Sequence, residues 1–420
     1  MSEPDPGGGR GGQLASSGLR PGWTTGACAT AAARAAFVAL RTGAVLDTVT
    51  VRLPRGHTPT FALTDLARGV CDGRAWAMAA VTKDAGDDPD ITHGAVVRVV
   101  VRERPPDGLG VRFVAGPGVG TVTLPGLPLP VGEPAINPMP RRMILDNLAS
   151  AAQELPTVEA AHPHGAPDLD LEVGIDHGAE LALRTLNPRL GIIGGLSVLG
   201  TTGVVVPYSC SAWIDSIRRG VDVAVATGQP HVAGCTGSTS ERAAAELLGL
   251  PPVALLDMGD FVGAVLGQLR RNPVPRLTVC GGFAKLSKLA AGHLDLHSAR
   301  SSVDTAHLAG LVVSAHAPIP DASRPPLATP GSTEQAGQPA DVSALAQADV
   351  AAIANAPTAL AALSAARKRG IELGDLVAAA ARDAALAALR GAPVVVDVIC
   401  LDREGRPVGR CRPAGPGSRQ

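Results

Sequence analysis

Aromatic residues are scarce in this chain of 420 residues: Phe, Tyr and Trp together make up 2%. A core without them rests on Ala, Val and Leu, which bury less area per residue, so length must compensate. The same scarcity removes the ring platforms on which single-stranded nucleic acid stacks. An excess of one charge is lacking too. The formal net charge is −1, which leaves no global basic field for a phosphate backbone. Both absences argue against a nucleic-acid partner. The seven cysteines (Cys28, Cys71, Cys210, Cys235, Cys280, Cys400, Cys411) include no C-x-x-C pair. That argues against a structural zinc site, and an odd, dispersed set fits reduced thiols in the cytoplasm. The N-terminus is polar and Gly-rich with no hydrophobic signal core, and no run of about 18 apolar residues predicts a membrane span. G-x-S-x-G and Walker A motifs are missing, which weakens hydrolase and P-loop readings.

What is present is enough for a sizeable core: 45% of residues are hydrophobic, and the length suggests two to three domains. Residues 1–18 read as a disordered tail. Thr24-Thr25-Gly26 opens an Ala-rich helix to about residue 41, with either threonine as N-cap. Alternation predicts strands around 49–53 and 61–63, and residues 95–101 read as a buried strand. Pro138 and Pro140 introduce a helix over 140–153, and strands are expected at 169–173 and 179–183. This mixture predicts an N-terminal α+β two-layer domain over 19–190. The pattern then changes. Strands at 221–227, 253–256 and 277–280 alternate with helices starting at Ser238, near Asp260 and near 284. Glu241 stands at capping-box spacing from Ser238, and Asp260 reads as the cap of its helix. That β-α-β-α-β order predicts a Rossmann-like parallel sheet over 191–402, with its ligand crevice at the strands' C-terminal ends. Residues 315–342 read as a Pro-rich loop. The strand at 394–401 leads to a hairpin, and 403–420 comprise its return and a loose tail.

The candidate chemistry lies in a few stretches. Residues 187–209 (NPRLGIIGGLSVLGTTGVVVPYS) carry five glycines, and glycines at that density suit a backbone that bends sharply or lets a ligand approach. The run reads either as an interdomain turn or as a backbone cradle, with Gly194, Gly195, Thr201 and Thr202 facing a ligand. It contains no clean G-x-G-x-x-G. In the second domain Gly228, Gly237 and Ser238 read as the turn after the first strand, where amides face the crevice. Asp257 ends the second strand, where an acid receives ribose hydroxyls or is simply solvated. The acidic block KDAGDDPDITHG at 83–94 does not match EF-hand spacing. It reads as an acidic turn, a Mg²⁺ site, or a place where Asp84, Asp87 or His93 orients a substrate or takes a proton. Arg141 and Arg142 sit in a helix first turn, where the macrodipole disfavours cations, so either an anion offsets them or they face solvent. Lys285 and Lys288 share a helix face. His293 and His297 lack a third metal ligand. Cys28, near a helix start, reads as a buried small side chain, although that position alone would lower its pKa.

Seven blocks in order closely resemble the cobalt-precorrin-5B (C1)-methyltransferase family of the oxygen-independent cobalamin pathway. They are GWTTGAC at 22–28, KDAGDDPDITHG at 83–94, INPMPRRMI at 136–144, NPRLGIIGGLSVLGTTG at 187–203, TGSTSE at 236–241, GDFVG at 259–263 and KLSKLAAGHLDLHS at 285–298. Ala284 and Leu296 depart from the commoner Gly and Thr. The resemblance implies S-adenosylmethionine-dependent methyl transfer to ring carbon C1 of a cobalt-containing corrinoid, and a two-domain fold with an α+β domain beside a Rossmann-like one. The cobalt belongs to the substrate, so no protein metal site is required. The substrate's rim carboxylates would be met by Arg141, Arg142, Arg189, Lys285 and Lys288. The second-domain strand ends (Gly228, Gly237, Ser238, Asp257, Asp260) would hold the cofactor, and the glycine run and acidic block would face the macrocycle between the domains. Two other classes stand beside this: an NAD-linked oxidoreductase, against which the broken G-x-G-x-x-G argues, and a non-catalytic corrinoid carrier.

Overall fold

The computed structural model describes residues 18–105, 107–155, 168–316 and 342–412, with 316 and 342–346 described by backbone alone. All but the last residue of the expected tail at 1–18, most of the Pro-rich segment 315–342 and the end beyond 412 lie outside the described residues. The chain is a mixed α/β protein of two compact units, Met1–Trp213 and Ile214–Gln420.

The first unit begins with β1 (Gly22–Trp23), α1 (Thr25–Thr42), β2 (Thr48–Thr50), β3 (Thr60–Ala62), β4 (Asp65–Cys71), β5 (Arg74–Thr82), β6 (Val96–Glu103), β7 (Val111–Ala115) and β8 (Thr121–Val122). It continues with α2 (Pro138–Glu154), β9 (Leu169–Ile175), α3 (Gly178–Ala182), β10 (Ile192–Ile193) and β11 (Val204–Val205). Its main sheet has the order β4-β5-β6-β9-β7, antiparallel except for the parallel pair β7–β9. Thr24 is the N-cap of α1 and accepts from the Ala27 amide, a bond of roughly 1 kcal/mol at such a position. Ten residues of α1, from Ala27 to Ala39, are fully buried apolar side chains. A helix apolar all round belongs inside a core, and α1 packs against β5, β6 and α2. Its alanines keep those distances short. The expected strand at 179–183 is instead the short helix α3, entered through His177 at φ 56°.

The glycine run, expected to open the second domain, lies within the first unit. Its two short strands find their partners there: β10 pairs with β8 and β11 with β1.

The second unit opens within α4 (Cys210–Ala226), whose first residues belong to the first unit. It contains β12 (His231–Cys235), α5 (Ser238–Leu248), β13 (Leu255–Asp257), α6 (Val262–Leu269), β14 (Arg276–Gly282), α7 (Phe283–Ala290), α8 (Thr305–His316) and α9 (Val342–Ala354). Then come α10 (Ala359–Arg367), α11 (Leu373–Leu389), β15 (Val395–Leu401) and β16 (Pro407–Cys411). The expected strand at 221–227 is the end of α4. Its buried residues Ile217, Val221 and Ala224 recur at helical spacing, which overrides the local alternation of VDVAV. The first strand is therefore β12, one element later. The sheet order is β13-β12-β14-β15-β16, parallel through β15, with β16 antiparallel. Strand alternation divides its core in two. Val232, Leu277, Val279, Val396 and Val398 face a large helical layer, whereas Ala233, Cys235, Cys280, Ile399 and Leu401 pack with α5 residues Ala243 and Ala244.

At the start of α11, a Cβ added to Gly374 would lie 1.8 Å from the Val408 carbonyl oxygen of β16. That neighbour is backbone and cannot swing aside. Gly374→Ala should cost about 2 kcal/mol or more, read as a lower urea midpoint. Gly267→Ala, on α6 where an added Cβ meets open space, should be neutral or stabilising by about 0.5–1 kcal/mol. Equal midpoints for the two variants would refute the close-approach account.

Candidate functional site

Four of the seven blocks, far apart in sequence, meet at the first turn of α1. The Trp23 amide donates to the Asp84 carbonyl at 2.7 Å, the Thr24 amide to the Gly203 carbonyl at 3.0 Å, and the Gly26 amide to the Leu199 carbonyl at 3.0 Å. The Asn137 amide donates to the Val198 carbonyl at 3.0 Å, which brings in the start of α2. Missing side chains make this possible. A Cβ on Gly86, where φ is +68°, would fall 2.2 Å from the Arg20 carbonyl oxygen, and one on Gly200 would fall 2.3 Å from the Thr24 hydroxyl. The glycines thus bring backbones together, and Thr25, only 6% exposed, sits where they meet. Its hydroxyl has no hydrogen-bond partner among the described residues.

Within the acidic block, the carboxylates hold the loop itself. Arg20 grips Asp84 with both guanidinium nitrogens, at 2.5 and 3.0 Å, and donates its own amide to Asp87 at 2.6 Å. The Arg20 contact holds the Asp84 carboxyl down at about 2. Asp88 accepts from the Tyr208 amide at 2.8 Å. Lys83, 1% exposed, is neutralised by Asp90 at 2.6 Å. Burial pushes the Asp90 carboxyl up, but Lys83 and Thr92 outweigh it and leave it below its ordinary value. His93 Nδ1 accepts from the Ala85 amide at 3.1 Å, so in the neutral ring Nε2 carries the proton. Cys28 is fully buried, and desolvation pushes its thiol up to about 12, the reverse of what a helix start alone would do.

Of the expected rim cations, Arg141 is occupied within the protein. It donates to the Ile136 carbonyl at 2.8 Å and to Glu133 at 2.8 Å, and lies over the Phe113 ring at 5.1 Å. The anion that offsets the macrodipole is therefore Glu133. Arg142 is exposed, with Asp146 at 3.8 Å. Arg189 lies in the turn before β10 and is half-buried. Gly194 is exposed with open space around it, whereas Gly195 is pressed onto the Gly118 backbone and has no face for a ligand. Thr201 is exposed, and Thr202 bonds to the Val204 backbone.

In the second unit a second site forms where the parallel strands end. Gly228 is not in it: as the chain leaves α4 it precedes β12, at the opposite end of the strand. Gly237 is the N-cap of α5, at φ 150° and ψ 177°, with no side-chain cap. The expected capping box at Ser238 does not form, because the extended glycine, not the serine, ends the loop. Ser238 is the exposed first residue of α5. Asp257 ends β13 as expected. Asp260 caps nothing; the N-cap of α6 is Phe261, and Asp260 instead faces Lys285 Nζ at 3.0 Å. Lys285 also donates to the Thr236 carbonyl at 2.8 Å, so it joins the loops after β12 and β13. Lys288 points inward, 7% exposed, and donates to the Leu296 carbonyl. Neither lysine is a free cation for a substrate carboxylate. α7 stops at Ala290, so His293 and His297 share no helix.

Thr236–Ser240, Gly282 and Leu401–Arg403 line a cleft of about 320 Å³. The hairpin side was not singled out in the sequence, because nothing local marks Arg403 and the pairing of β14 with β15 is what brings it here. Asp402 holds the hairpin, accepting from the Glu404 and Arg406 amides at 3.0 and 2.8 Å.

These two units, one centred on a buried Ala-rich helix and one on a mostly parallel sheet with a cleft at its strand ends, are matched by two family models. One, described as CbiD, matches residues 13–207, and the other, described as CbiD, C-terminal domain, matches residues 340–412. The chain belongs to the CbiD family. Among its relatives, a cobalt-precorrin-5B C(1)-methyltransferase of Rhodospirillum rubrum is 52% identical over 391 residues, 93% of this chain and 97% of the relative. One from Bradyrhizobium sp. is 50% identical over 94% of each chain, and one from Paramagnetospirillum magneticum is 51% identical over 93% of this chain and 98% of its own. The crystal structure of a cobalamin biosynthesis protein (cbiD) from Archaeoglobus fulgidus is 26% identical, covers 67% of this chain and 83% of its own, and superposes with a TM-score of 0.35.

The Arg20–Asp84 pair has a pH signature. A carboxylate with a depressed folded pKa adds stability above its unfolded value, near 4, and loses it as pH falls toward about 2. Both side chains are about half exposed, so solvent screening keeps the effect small. Arg20→Gln should raise the Asp84 titration midpoint toward 3.8, followed by carboxyl-carbon NMR. An unmoved midpoint would remove Arg20 as its cause.

Proposed function

We propose that this chain transfers the methyl group of S-adenosylmethionine to ring carbon C1 of cobalt-precorrin-5B, giving cobalt-precorrin-6A in anaerobic cobalamin biosynthesis. The observation that carries this reading is identity of about 50% to cobalt-precorrin-5B C(1)-methyltransferases over more than 90% of both chains. The strand order of the second unit supports a Rossmann-like doubly wound sheet, in which ligands bind outside the strands' C-terminal ends where the order reverses. Here that point lies between β12 and β14, and the cleft beside Gly237 and Ser238 opens there. The unpartnered Thr236 hydroxyl and the open space at Gly237 fit a polar small molecule. We assign Gly237, Ser238 and Asp257 to the methyl donor, with Asp260 and Lys285 fixing the loops around them. We assign the convergence around α1 to the corrinoid, with Gly194, Thr201 and Thr202 as backbone and hydroxyl contacts and Arg142 and Arg189 meeting rim carboxylates. The cobalt enters as part of the substrate. The partners are then small molecules, without nucleic acid, and the compartment is the cytoplasm; among the described residues no helix is long and apolar enough to cross a membrane.

The donor supplies an already activated sulfonium methyl, so the protein's part is alignment and exclusion of water. The residues are arranged for that part. Asp84 and Asp87 are spent on Arg20, and His93 presents a donor nitrogen outward in its neutral form, so these three orient the loop and the substrate. His93→Gln, which keeps a donor, should hold kcat within about tenfold. A loss of about 100-fold or more would make His93 a proton acceptor.

Anaerobic incubation with the cobalt precursor and methyl-labelled donor, followed by mass analysis, tests the reaction. A gain of one labelled methyl is expected. No gain with both ligands bound would overturn the proposal and favour a corrinoid carrier.

A further inference from the structure

We propose that the cleft beside α5 is a carboxylate subsite in which Arg403 and the Thr236 hydroxyl hold the acid. The inference rests on reading this cleft as the donor's, and it names which part of a ligand the cleft takes.

Three independent features meet there. Thr236 is 7% exposed and lines the cleft, yet its hydroxyl has no hydrogen-bond partner among the described residues. Its amide and carbonyl are both used, by the Cys280 carbonyl and by Lys285, so only the hydroxyl is left over. The side chain is fixed over β14, where a Cβ on Gly281 would come within 2.8 Å of that hydroxyl. A ligand oxygen in the cleft gives that hydroxyl the partner it lacks. The second feature is the uncapped first turn of α5. Gly237 offers no side chain to cap this turn, and Ser238 and Thr239, whose amides open the helix, line the cleft. The Ser240 hydroxyl is turned back onto the Gly237 carbonyl at 2.7 Å and does not compete. The third is Arg403, an exposed guanidinium on the cleft wall with no partner among the described residues. Asp402, also on the wall, is turned to the hairpin: it accepts from Arg406 at 2.9 Å, and Arg406 also reaches Glu404 at 3.2 Å. Gly405 sets the hairpin against α5, where an added Cβ would meet Thr239 Cγ2 at 3.1 Å, so the guanidinium and the amides are held on facing walls.

Hydroxyl, amides and guanidinium are all donors toward one space, which is the complement of a planar acid. Such an acid has two sources in this reaction: the amino-acid end of the methyl donor and a side-chain acid on the corrinoid rim.

Calorimetric titration of the full chain separates them, using S-adenosylhomocysteine, 5′-methylthioadenosine, which lacks the amino-acid end, and the cobalt precursor under anaerobic conditions. The variants are Arg403→Gln, Arg403→Lys and Thr236→Val, each checked for unchanged thermal midpoint. Arg403→Gln should weaken S-adenosylhomocysteine about 10- to 100-fold and leave 5′-methylthioadenosine unchanged, with Arg403→Lys recovering part of the loss. That result assigns the acid to the donor. A loss confined to the cobalt precursor supports the subsite and assigns the acid to the rim. If the wild-type chain binds both adenosyl compounds and Arg403→Gln binds all three ligands as wild type does, the subsite is overturned while the donor site stands. If the wild-type chain binds neither adenosyl compound, the donor reading falls, and the subsite falls with it unless precursor binding is weakened. Equal loss for S-adenosylhomocysteine and 5′-methylthioadenosine overturns the subsite as well, since it reports a collapsed cleft.

Discussion

Backbone packed directly on backbone is the constraint from which this structure follows. The first unit is organised around a helix whose buried positions are mostly alanine, and its blocks meet where a Cβ would strike main-chain atoms at Gly22 and Gly86 and the Thr24 side chain at Gly200. The second unit repeats the device between Gly374 and Gly409. Small side chains bury little area each, so contact must come from closeness. That is why a chain with so few aromatics still closes its cores, and why its glycines lie at junctions as well as at turns.

The same constraint decides what the polar groups do. Once the main chains are this close, the charges of the loops between them act as fasteners. Arg20, Lys83, Arg141 and Lys285 each tie one segment to another. Among the described residues near the two sites, the groups without such a tie lie apart: the hydroxyls of Thr25 and Thr236, the exposed guanidinium of Arg403 and the second ring nitrogen of His93. A reaction whose methyl group arrives activated asks for little more than such placed donors.

Local chemistry made parts of this readable in advance. The start of α1 is legible because Thr24 caps within its own turn, β9 because Leu169, Leu171 and Val173 alternate with Asp170 and Glu172, and β14 because its run is apolar and bounded. β4 and β5 carry no legible strand pattern, since DLARGVC and RAWAMAAVT mix Ala, Gly and Arg and are held by pairing rather than by pattern. Residues 221–227 alternate like a strand but serve a helix, because burial at 217, 221 and 224 governs them. The site residues divide along the same line. Asp257 and Gly237 follow from their place after a strand. The capture of Arg141 by Glu133, and of Lys285 by Asp260 and Thr236, depends on turns and crossovers that no local pattern announces. Arg403 is the extreme case, a loop residue given meaning by a strand pairing.

The cleft also has a place in time. Its walls, Thr236–Ser240 and Leu401–Arg403, leave the ribosome far apart, and the second arrives only when β15 can align beside β14. β12, β13 and β14 can pair as they emerge, but a nascent chain at that stage has half a pocket. The cleft is therefore completed by β15, the last of the parallel strands to be made, and the ligand proposed for it has both walls only from that point on.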